Sequence, residues 1–490
     1  MTPPRLSDFI KAYDVRGLVP EQLDERVAHA IGRAFAEIVA LPDAAGERPG
    51  LVVGHDMRPS SPELSRAFAD GAAEAGADVT LIGLCSTDGL YFGSGLLDVP
   101  GAMFTASHNP AAYNGIKLCR SGARPVGQDT GLADITVRAQ RILDDDGDAS
   151  DTARVAGDAP QDRAAPGSIG ERDLLGDYAR FLRGLVDVSA IRPLTVVVDA
   201  GNGMGGLTVP AVLGTAAGLG PLPLTVVPLY FELDGTFPNH EANPLDPKNL
   251  VDLRAAVVAH GADLGLAFDG DADRCFAVDE CGTPVSPSAV TAMVAAREIA
   301  RCVAAGESAA DVRIVHNVIS SRAVAEIVRE HGAQPVRTRV GHSFIKAEMA
   351  RANAVFGGEH SAHYYFRDFW FADTGMLAAL HLLAAVGEQD KPLSELIAAY
   401  DRYPASGEIN STVADTPGRL AAIRAWAAKR GCAIDELDGL TVSSPAGEAM
   451  WWGNVRPSNT EPLLRLNVEA ADPPTMTAVR DELLALIRGK

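Results

Sequence analysis

From Leu51 to Gly83 the chain reads LVVGHDMRPSSPELSRAFADGAAEAGADVTLIG, and this stretch contains a complete strand–helix–strand pattern. The apolar runs Leu51 to Gly54 and Val79 to Gly83 predict two strands. Between them, Pro62 to Ala75 has the apolar spacing of an amphipathic helix, with a proline and an acid near its start. The stretch is therefore a βαβ unit of an α/β domain.

The same pattern recurs twice along the chain. Its members are the strand Leu194 to Asp199, a helix from about Leu207 and the strand Leu224 to Leu229, then Val312 to Asn317, Ala323 to His331 and Pro335 to Val340. Three such units at intervals of roughly 120 to 140 residues predict three similar α/β domains. One large doubly wound sheet would produce the same rhythm and remains the alternative at this point.

Two other stretches indicate where domains begin and end. Asp144 to Arg172 is rich in acid, Gly, Ala and Pro and predicts a linker or a long surface loop. After about Pro404 the pattern changes to short strands and helices that end in Pro473 to Arg488, which predicts a smaller α+β domain. We therefore expect domains at residues 1–155, 156–284, 285–402 and 403–490.

The composition argues against several classes of function. A formal charge of −21 and a pI near 4.9 disfavour a surface for nucleic acid or for an anionic membrane. The six cysteines are scattered without a C-x-x-C pair, which indicates a reducing compartment. Met1 to Ala12 lacks the apolar core of a signal peptide, and Met376 to Val386 is too short to span a bilayer. We expect a cytoplasmic protein.

The first candidate site is the hexapeptide Thr105-Ala106-Ser107-His108-Asn109-Pro110, which follows the apolar run Pro100 to Phe104. Ligands of open α/β sheets gather where strands end, and Pro110 prevents an immediate helix, so Ser107 is presented on a loop. We hypothesise that Ser107 carries a phosphoryl group, with His108 and Lys117 as further candidate catalytic residues. The alternative is a turn serine that bonds its own backbone.

A second loop, Asp269-Gly270-Asp271-Ala272-Asp273-Arg274, follows the predicted strand Leu264 to Phe268. Its three carboxylates alternate along a loop that we expect to be extended, and they suit Mg²⁺. An EF-hand is excluded because Arg274 takes the place of the turn glycine and a strand precedes the loop. Arg274 is instead expected to contact an oxyanion.

The third candidate loop is Gly357-Gly358-Glu359-His360-Ser361-Ala362-His363. On an extended backbone Glu359 and Ser361 would point to the same side and could bond neighbouring hydroxyls of a sugar. His363 and, upstream, His342 are candidate bases, although a surface histidine is the commoner role.

The fourth loop, Arg456-Pro457-Ser458-Asn459-Thr460-Glu461-Pro462, lies between the predicted strands Met450 to Val455 and Leu464 to Glu469. An arginine fork, two hydroxyls and an amide make a phosphate cradle from Arg456, Ser458, Asn459 and Thr460, unless turn chemistry alone explains them. Trp451 and Trp452 are expected to pack within the strand. Near the start of the chain, Tyr13 and Arg16 are further candidate substrate contacts.

These four loops, one in each expected domain, resemble those of the α-D-phosphohexomutase superfamily, in particular the bacterial phosphomannomutase/phosphoglucomutase group. The resemblance covers essentially the whole chain. It implies three α/β domains with mixed sheets and a fourth, TATA-binding-protein-like α+β domain around a central cleft. Two positions depart from the pattern, because Ala272 and Ala362 stand where many relatives have glycine.

The resemblance also implies a role for each candidate. Ser107 is the phosphoserine, and it shares Mg²⁺ with Asp269, Asp271 and Asp273. Glu359 and Ser361 contact sugar hydroxyls, and the fourth loop binds phosphate. The remaining active-site positions are Arg16, Lys117, Arg274, His342 and His363.

The reaction so implied interconverts mannose 6-phosphate and mannose 1-phosphate through a hexose 1,6-bisphosphate, in a monomer or homodimer. Glucose phosphate as the substrate, dual specificity and glucosamine phosphate remain alternatives within the family. A Mg²⁺-dependent sugar phosphatase and a non-catalytic sugar-phosphate sensor are alternatives from other classes. The expected partners are small hexose phosphates.

Overall fold

The computed structural model describes residues 4–10, 13–44, 49–148, 165–457 and 463–489. The chain forms two compact units. The first comprises Met1–Val285 and Ser361–Ser394, and the second comprises Ser286–His360 and Glu395–Lys490. A short helix, Leu393–Ile397, lies where the chain passes from the first unit into the second.

The first unit contains a mixed seven-stranded sheet. Its order is Val15–Leu18, Tyr113–Arg120, Gly101–Phe104, Gly50–His55, Asp78–Leu84 and Ile169–Glu171, with Arg124–Pro125 paired to Tyr113–Arg120. Strand Gly50–His55 is parallel to both neighbours, so their carboxyl ends meet at one edge of the sheet. That edge carries the Ser107 loop.

Helices cover both faces of this sheet. They are Leu6–Asp8, Glu25–Phe35 with its continuations Ala36–Ala40 and Leu41–Asp43, Ser61–Glu74, Thr87–Leu97, Gln128–Thr130 and Leu132–Asp148. Two glycines allow Glu25–Phe35 and Ser61–Glu74 to approach closely. A Cβ on Gly32 would lie 2.1 Å from the Phe68 carbonyl oxygen, and one on Gly71 would lie 2.1 Å from that of His29. Larger side chains at either position would separate the helices.

A second, four-stranded sheet in the same unit has the order Cys275–Asp279, Leu264–Phe268, Leu194–Asp199 and Leu224–Leu229. Its helices are Leu175–Leu185, Gly205–Val212, Pro247–Leu250 and Val251–His260. Residues 361–394 add the hairpin Tyr364–Phe366 and Ala372–Asp373, the short helix Arg367–Phe369 and the fully buried helix Gly375–Gly387. That helix packs against Leu175–Leu185 and Cys275–Asp279 because it is apolar on every side.

The second unit contains the parallel strands Gln334–Thr338, Arg313–Asn317 and Phe356–Gly358. Their helices are Pro287–Ala304, Ala309–Asp311, Arg322–Glu330 and His342–Ala352. It also contains an antiparallel sheet in the order Ile409–Thr412, Leu463–Ala470, Trp451–Pro457, Leu440–Ser443 and Ala433–Asp435, covered by helices Thr416–Arg430 and Pro473–Arg488. Trp451 is buried in the core of this sheet, as predicted, whereas Trp452 is buried against Val318 and Ile319, which follow strand Arg313–Asn317.

The predicted fold class and the three βαβ units are confirmed. The linker prediction is wrong at both ends. Residues 144–148 continue the helix Leu132–Asp148, and Ile169–Glu171 adds a parallel strand beside Asp78–Leu84. The predicted boundary between residues 155 and 156 lies outside the described residues, and the three boundaries between the four predicted domains stay predictions. Across the described ranges, no helix is both long enough and apolar enough to cross a membrane.

Candidate active site

Ser107 lies on a tight turn directly after strand Gly101–Phe104, as predicted. Its backbone N–H donates to Thr105 Oγ1 at 2.8 Å, and its φ of +48° is in the left-handed region. This conformation is costly for a residue other than glycine and needs support from surrounding structure. The serine is 4% exposed, so the turn holds its hydroxyl inside the protein.

Much of that support comes from Arg58, a residue that the sequence reasoning missed. Its buried guanidinium donates to four carbonyl oxygens of the serine loop and the residues after it, at 2.7–3.0 Å; these belong to Ser107, Asn109, Pro110 and Tyr113. Asp56 lies 3.3 Å from Arg58 Nε. The only signal was position, because Arg58 follows strand Gly50–His55, whose neighbour in the sheet leads into Ser107.

Two glycines bring the aspartate loop against the serine loop. A Cβ on Gly270 would lie 2.3 Å from the Ser107 carbonyl oxygen, and one on Gly203 would lie 2.6 Å from that of Gly270. Hence three turns, each following a strand, are stacked backbone to backbone. This close approach leaves no room for a side chain at Gly203 or Gly270.

The three aspartates converge, although the loop is not extended as we expected. Strands Leu264–Phe268 and Cys275–Asp279 pair as an antiparallel hairpin, and Asp269–Arg274 is its compact turn, with Ala272 at a φ of +58°. One carboxylate oxygen from each of Asp269, Asp271 and Asp273 lies within 4.8 Å of the other two, and all three side chains are buried. Ser107 Oγ donates to Asp269 Oδ2 at 2.7 Å.

Two cations balance this charge. Lys117 Nζ donates to Asp271 Oδ2 at 2.7 Å and to Asp273 Oδ2 at 2.6 Å, and Arg274 Nε donates to Asp269 Oδ2 at 2.9 Å. Burial alone would lower the pKa of Lys117, but the two aspartates outweigh it and raise that pKa. Burial, reinforced by Asp273 and Asp271, raises the pKa of Asp269 to about 7, against the effect of Arg274 and Lys117.

The carboxylates fit a divalent cation. Asp271 Oδ1 and Asp273 Oδ1 are buried and accept no hydrogen bond from the described part of the chain. Buried carboxylate oxygens without donors are destabilising unless a cation binds them. Oxygen-only donors are the ligands that Mg²⁺ prefers. Thr87, also missed by the sequence reasoning, helps to orient the set, since its hydroxyl donates to Asp271 Oδ2 at 2.5 Å.

His108 contacts both the nucleophile candidate and Arg274. Its Nδ1 accepts from Arg274 Nη2 at 2.6 Å and lies 3.2 Å from Ser107 Oγ. The Arg274 charge, together with burial, holds the pKa of His108 well below its usual range. The imidazole is therefore neutral, with Nδ1 as the acceptor atom.

Tyr13 and Arg16 lie at the start of the first sheet. Tyr13 is half-buried and precedes the strand that carries Arg16. Arg16 Nε donates to Asp14 at 2.8 Å, and its Nη1 donates to Asn109 Oδ1 at 3.3 Å. Arg16 thus contacts the serine loop. Burial alone would lower the pKa of Arg16, but Asp14, Asp271 and Asp273 lie close enough for their charges to raise that pKa.

Ser361 and His363 also belong to the first unit. Ser361 Oγ lies 2.9 Å from His363 Nδ1, and His363 Nε2 lies 3.7 Å from Asp273 Oδ1. The expectation of an extended backbone from Glu359 to Ser361 is wrong, because residues 360–361 form a turn and Ala362 has a φ of +64°. The side chains of Glu359 and Ser361 are therefore not placed on one side by the two-residue alternation of a strand.

Glu359 and His342 lie in the second unit. Glu359 follows the buried strand Phe356–Gly358, and its Oε1 accepts from Asn317 Nδ2 at 3.2 Å and from the Gly341 N–H at 3.1 Å. His342 is half-buried and is the first residue of helix His342–Ala352. The Gly341 contact therefore places these two predicted residues beside each other.

Arg456 lies near the end of strand Trp451–Pro457 in the second unit. Its Nη2 donates to Glu408 at 2.7 Å, and its Nε is buried without a hydrogen-bond partner among the described residues. Such a donor is available to a ligand oxygen. The other predicted phosphate contacts, Ser458, Asn459 and Thr460, lie outside the described residues.

Comparison with known proteins gives consistent matches along the chain. Residues 8–143, 176–282 and 288–403 match alpha/beta/alpha domains I, II and III of phosphoglucomutase/phosphomannomutase, and residues 408–486 match its C-terminal domain. The chain is 40% identical to a phosphomannomutase of Salmonella typhimurium (strain LT2), over 97% of this chain and 98% of the relative.

Two further similarities have the same extent. A protein of Xanthomonas campestris pv. campestris (strain ATCC 33913) named "Phosphohexose mutases" is 39% identical over 98% of this chain and 99% of its own length. The crystal structure of a phosphoglucomutase/phosphomannomutase family protein from Burkholderia thailandensis is similar with a TM-score of 0.82 and 30% identity. That match covers 98% of this chain and 97% of the other.

Proposed function

Because the chain belongs to the phosphoglucomutase/phosphomannomutase family and is an isomerase of the phosphohexomutase type, we propose that it interconverts mannose 6-phosphate and mannose 1-phosphate. The observation that carries this proposal is the hydrogen bond of 2.7 Å from Ser107 Oγ to Asp269, within a set of three converging aspartates. A hydroxyl beside a site for a divalent cation can receive and donate a phosphoryl group.

The proposed reaction has two transfers. In the first, the bond between Ser107 Oγ and phosphorus breaks while the free 1- or 6-oxygen of the hexose phosphate bonds to that phosphorus; this sugar oxygen loses its proton and Ser107 Oγ takes one up. In the second, Ser107 Oγ loses that proton and bonds to the phosphorus of the other phosphate of the hexose 1,6-bisphosphate; the bond from that phosphorus to its sugar oxygen breaks, and the sugar oxygen takes up a proton. Arg58 holds the Ser107 backbone in place during both, since it bonds the loop's carbonyl oxygens.

The residues around Ser107 would divide the remaining work. Asp269, Asp271 and Asp273 would hold Mg²⁺, which neutralises charge on the phosphoryl group that is being transferred. Arg274, 2.7 Å from Asp269, lies where its guanidinium can contact a phosphoryl oxygen. Lys117 is bound to two carboxylates, so we assign it to charge balance and phosphate contact.

The substrate has to bind in two orientations, because each transfer uses a different oxygen of the sugar. We propose that Glu359 and Ser361 bond its hydroxyls in both orientations, and that His342 or His363 moves the hydroxyl proton. Arg456, Ser458, Asn459 and Thr460 would hold the phosphate that is not reacting. The buried Nε of Arg456, which has no hydrogen-bond partner among the residues that the structure describes, supports that assignment.

The test of substrate choice is kcat/KM for mannose 1-phosphate against glucose 1-phosphate, with Mg²⁺ and a trace of hexose 1,6-bisphosphate. A preference of at least tenfold for mannose, about 1.4 kcal/mol in transition-state binding, is expected. A preference for glucose would overturn the proposed substrate and leave the phosphohexomutase activity intact. Release of inorganic phosphate in step with turnover would indicate a phosphatase instead.

Dual specificity is the second candidate. The similarity to the Xanthomonas protein named for phosphohexose mutases, at 39% identity, favours it nearly as well as the similarity at 40% to a phosphomannomutase favours mannose. Equal kcat/KM values for the two sugar phosphates would support this second candidate.

A further inference from the structure

The second unit contains a cavity of about 540 Å³, and none of the predicted site residues that the structure describes lines it. One wall is helix Arg322–Glu330, another is strand Gln334–Thr338, and a third is strand Leu440–Ser443. Cavities of this size accommodate organic metabolites rather than single ions. We call it the arginine cavity, from Arg322, Arg329 and Arg337, which line it.

The charge of this cavity is opposite to that of the whole chain. The arginine cavity has three guanidinium groups, whereas the formal net charge of the protein is −21. Glu326 is the single acid among its lining residues, and its carboxylate accepts from the Tyr403 hydroxyl at 2.9 and 3.1 Å. Arg402 Nη1 also lies 3.5 Å from Glu326. The carboxylate of Glu326 is therefore paired with Tyr403 and Arg402 rather than with the three arginines of the cavity.

The guanidinium groups of the three arginines use only some of their N–H donors in contacts within the protein. Arg322 Nη2 donates to Ser443 Oγ at 3.1 Å, and Arg337 forms an ion pair with Asp435. Arg329 is exposed and makes no hydrogen bond or ion pair with the described part of the chain. Arg322, Glu326 and Arg329 are spaced by four and three residues, so all three side chains lie on one face of the helix. Several N–H groups therefore remain available on that face.

His316 supplies a contact of a different kind. It is buried, and its Nδ1 is 3.1 Å from the Asn317 carbonyl oxygen, so Nδ1 carries the proton and Nε2 is an acceptor. Burial, with Arg337 and Arg329 nearby, lowers the pKa of His316 to about 4. A neutral imidazole acceptor suits a ligand hydroxyl. Trp452 adds an aromatic wall, and Ser320, Ser321, Thr441 and Ser443 add hydroxyl groups.

We propose that the arginine cavity binds a phosphorylated small molecule that also carries hydroxyl groups. Guanidinium forks match the oxygens of both carboxylate and phosphate two at a time, and three of them around one cavity favour the more highly charged phosphate. Nucleic acid is disfavoured because the cavity is concave and the rest of the chain is acidic. The proposal goes beyond the mutase reaction, since none of these residues has a role in it.

The test measures pyrophosphate binding to the full-length chain by calorimetry. Arg322→Gln with Arg329→Gln removes two guanidinium groups from the cavity. Arg424→Gln with Arg480→Gln, on the helices Thr416–Arg430 and Pro473–Arg488 of the same unit, is the matched control. Arg456→Gln distinguishes binding in the cavity from binding at the proposed reaction site. Circular dichroism verifies that each variant is folded, and mutase turnover verifies it as well for the cavity variant and the control pair.

We expect the Arg322→Gln, Arg329→Gln variant to bind pyrophosphate at least tenfold more weakly than the Arg424→Gln, Arg480→Gln control. Arg456→Gln should still bind pyrophosphate in the arginine cavity. Equal binding by the cavity variant and the control would overturn the proposal. It would also be overturned if Arg456→Gln alone abolished all binding. Neither result bears on the mutase proposal, which the turnover assay tests separately.

Discussion

Two regions of the molecule each contain several side chains of the same charge, and the two regions stabilise these charges in different ways. Around Ser107, the carboxylates of Asp269, Asp271 and Asp273 are buried and paired with Lys117 and Arg274. In the arginine cavity, the guanidinium groups lie at the surface and are only partly paired.

The difference follows from desolvation. A buried charge is strongly destabilising unless a counter-charge accompanies it, whereas an exposed one keeps its water. The aspartate site must therefore be built into the fold, and it still leaves two carboxylate oxygens without donors. The cavity can remain solvated until an anion enters. The first region thus suits a divalent cation, and the second suits the anion that we propose for it.

The largest contrast between the regions is expected from Ser107→Ala. Removal of the hydroxyl that carries the phosphoryl group should lower kcat by about 1000-fold or more. The Arg322→Gln, Arg329→Gln variant should keep turnover within about threefold, since none of the described residues that we propose for the reaction lines the cavity. A coupled assay with mannose 1-phosphate measures both. Activity of the alanine variant within tenfold of wild type would show that Ser107 is not the phosphoryl carrier.

The next largest effect concerns the cation. Asp271→Asn removes one carboxylate charge from the proposed Mg²⁺ site, so half-maximal activity should need at least about tenfold more Mg²⁺, with kcat reduced on the order of 100-fold. A titration of activity with Mg²⁺ after treatment with a chelator measures this. Asp252→Asn is the control, since that carboxylate accepts from the exposed Tyr230 hydroxyl. An unchanged Mg²⁺ dependence would contradict the assignment of Asp271.

A third prediction concerns the support of the serine loop. Arg58→Lys replaces a buried fork that bonds four carbonyl oxygens by a single ammonium, and should reduce the free energy of unfolding by about 2–4 kcal/mol. Arg66→Lys, on the exposed face of the following helix, should change it by less than about 0.5 kcal/mol. Denaturant unfolding of the two variants measures the difference. Equal midpoints would mean that Arg58 does not hold the loop.

The smallest expected effect concerns backbone conformation at the site. Ala272 and Ala362 have φ values of +58° and +64°, which glycine adopts without strain. Replacement by glycine should relieve about 1 kcal/mol of backbone strain in the folded state. Glycine also raises the conformational entropy of the unfolded chain, which offsets a similar amount. The free energy of unfolding should therefore change by only about 0 to +1 kcal/mol. Ala292→Gly, inside helix Pro287–Ala304, should instead lose about 1 kcal/mol. Thermal unfolding of these variants tests this contrast, and an equal loss at all three positions would contradict it.

The sequence predicted the positions of the serine and aspartate loops because the signals for them are local. The strands before Ser107 and Asp269 were recognisable from apolar runs, and alternating aspartates specify a cation site over a few residues. Arg58 and Thr87 were missed because nothing near them in sequence indicates their partners. Their contacts depend on which strands become neighbours, across 49 residues for Arg58 and Ser107 and 184 for Thr87 and Asp271. Conformation was also missed where a turn replaced an expected extended loop, at Ala272 and Ala362.

By itself, the sequence determined the three βαβ units, the α+β end of the chain and the positions of the candidate loops, since periodicity and turn residues act over short distances. Only the tertiary structure decided that strand Gly50–His55 lies beside Gly101–Phe104, which places Arg58 on the serine loop. It also decided the burial of the three aspartates and the grouping of three arginines around one cavity. The physical reason is that pairing, desolvation and charge balance depend on residues that only the folded chain brings together.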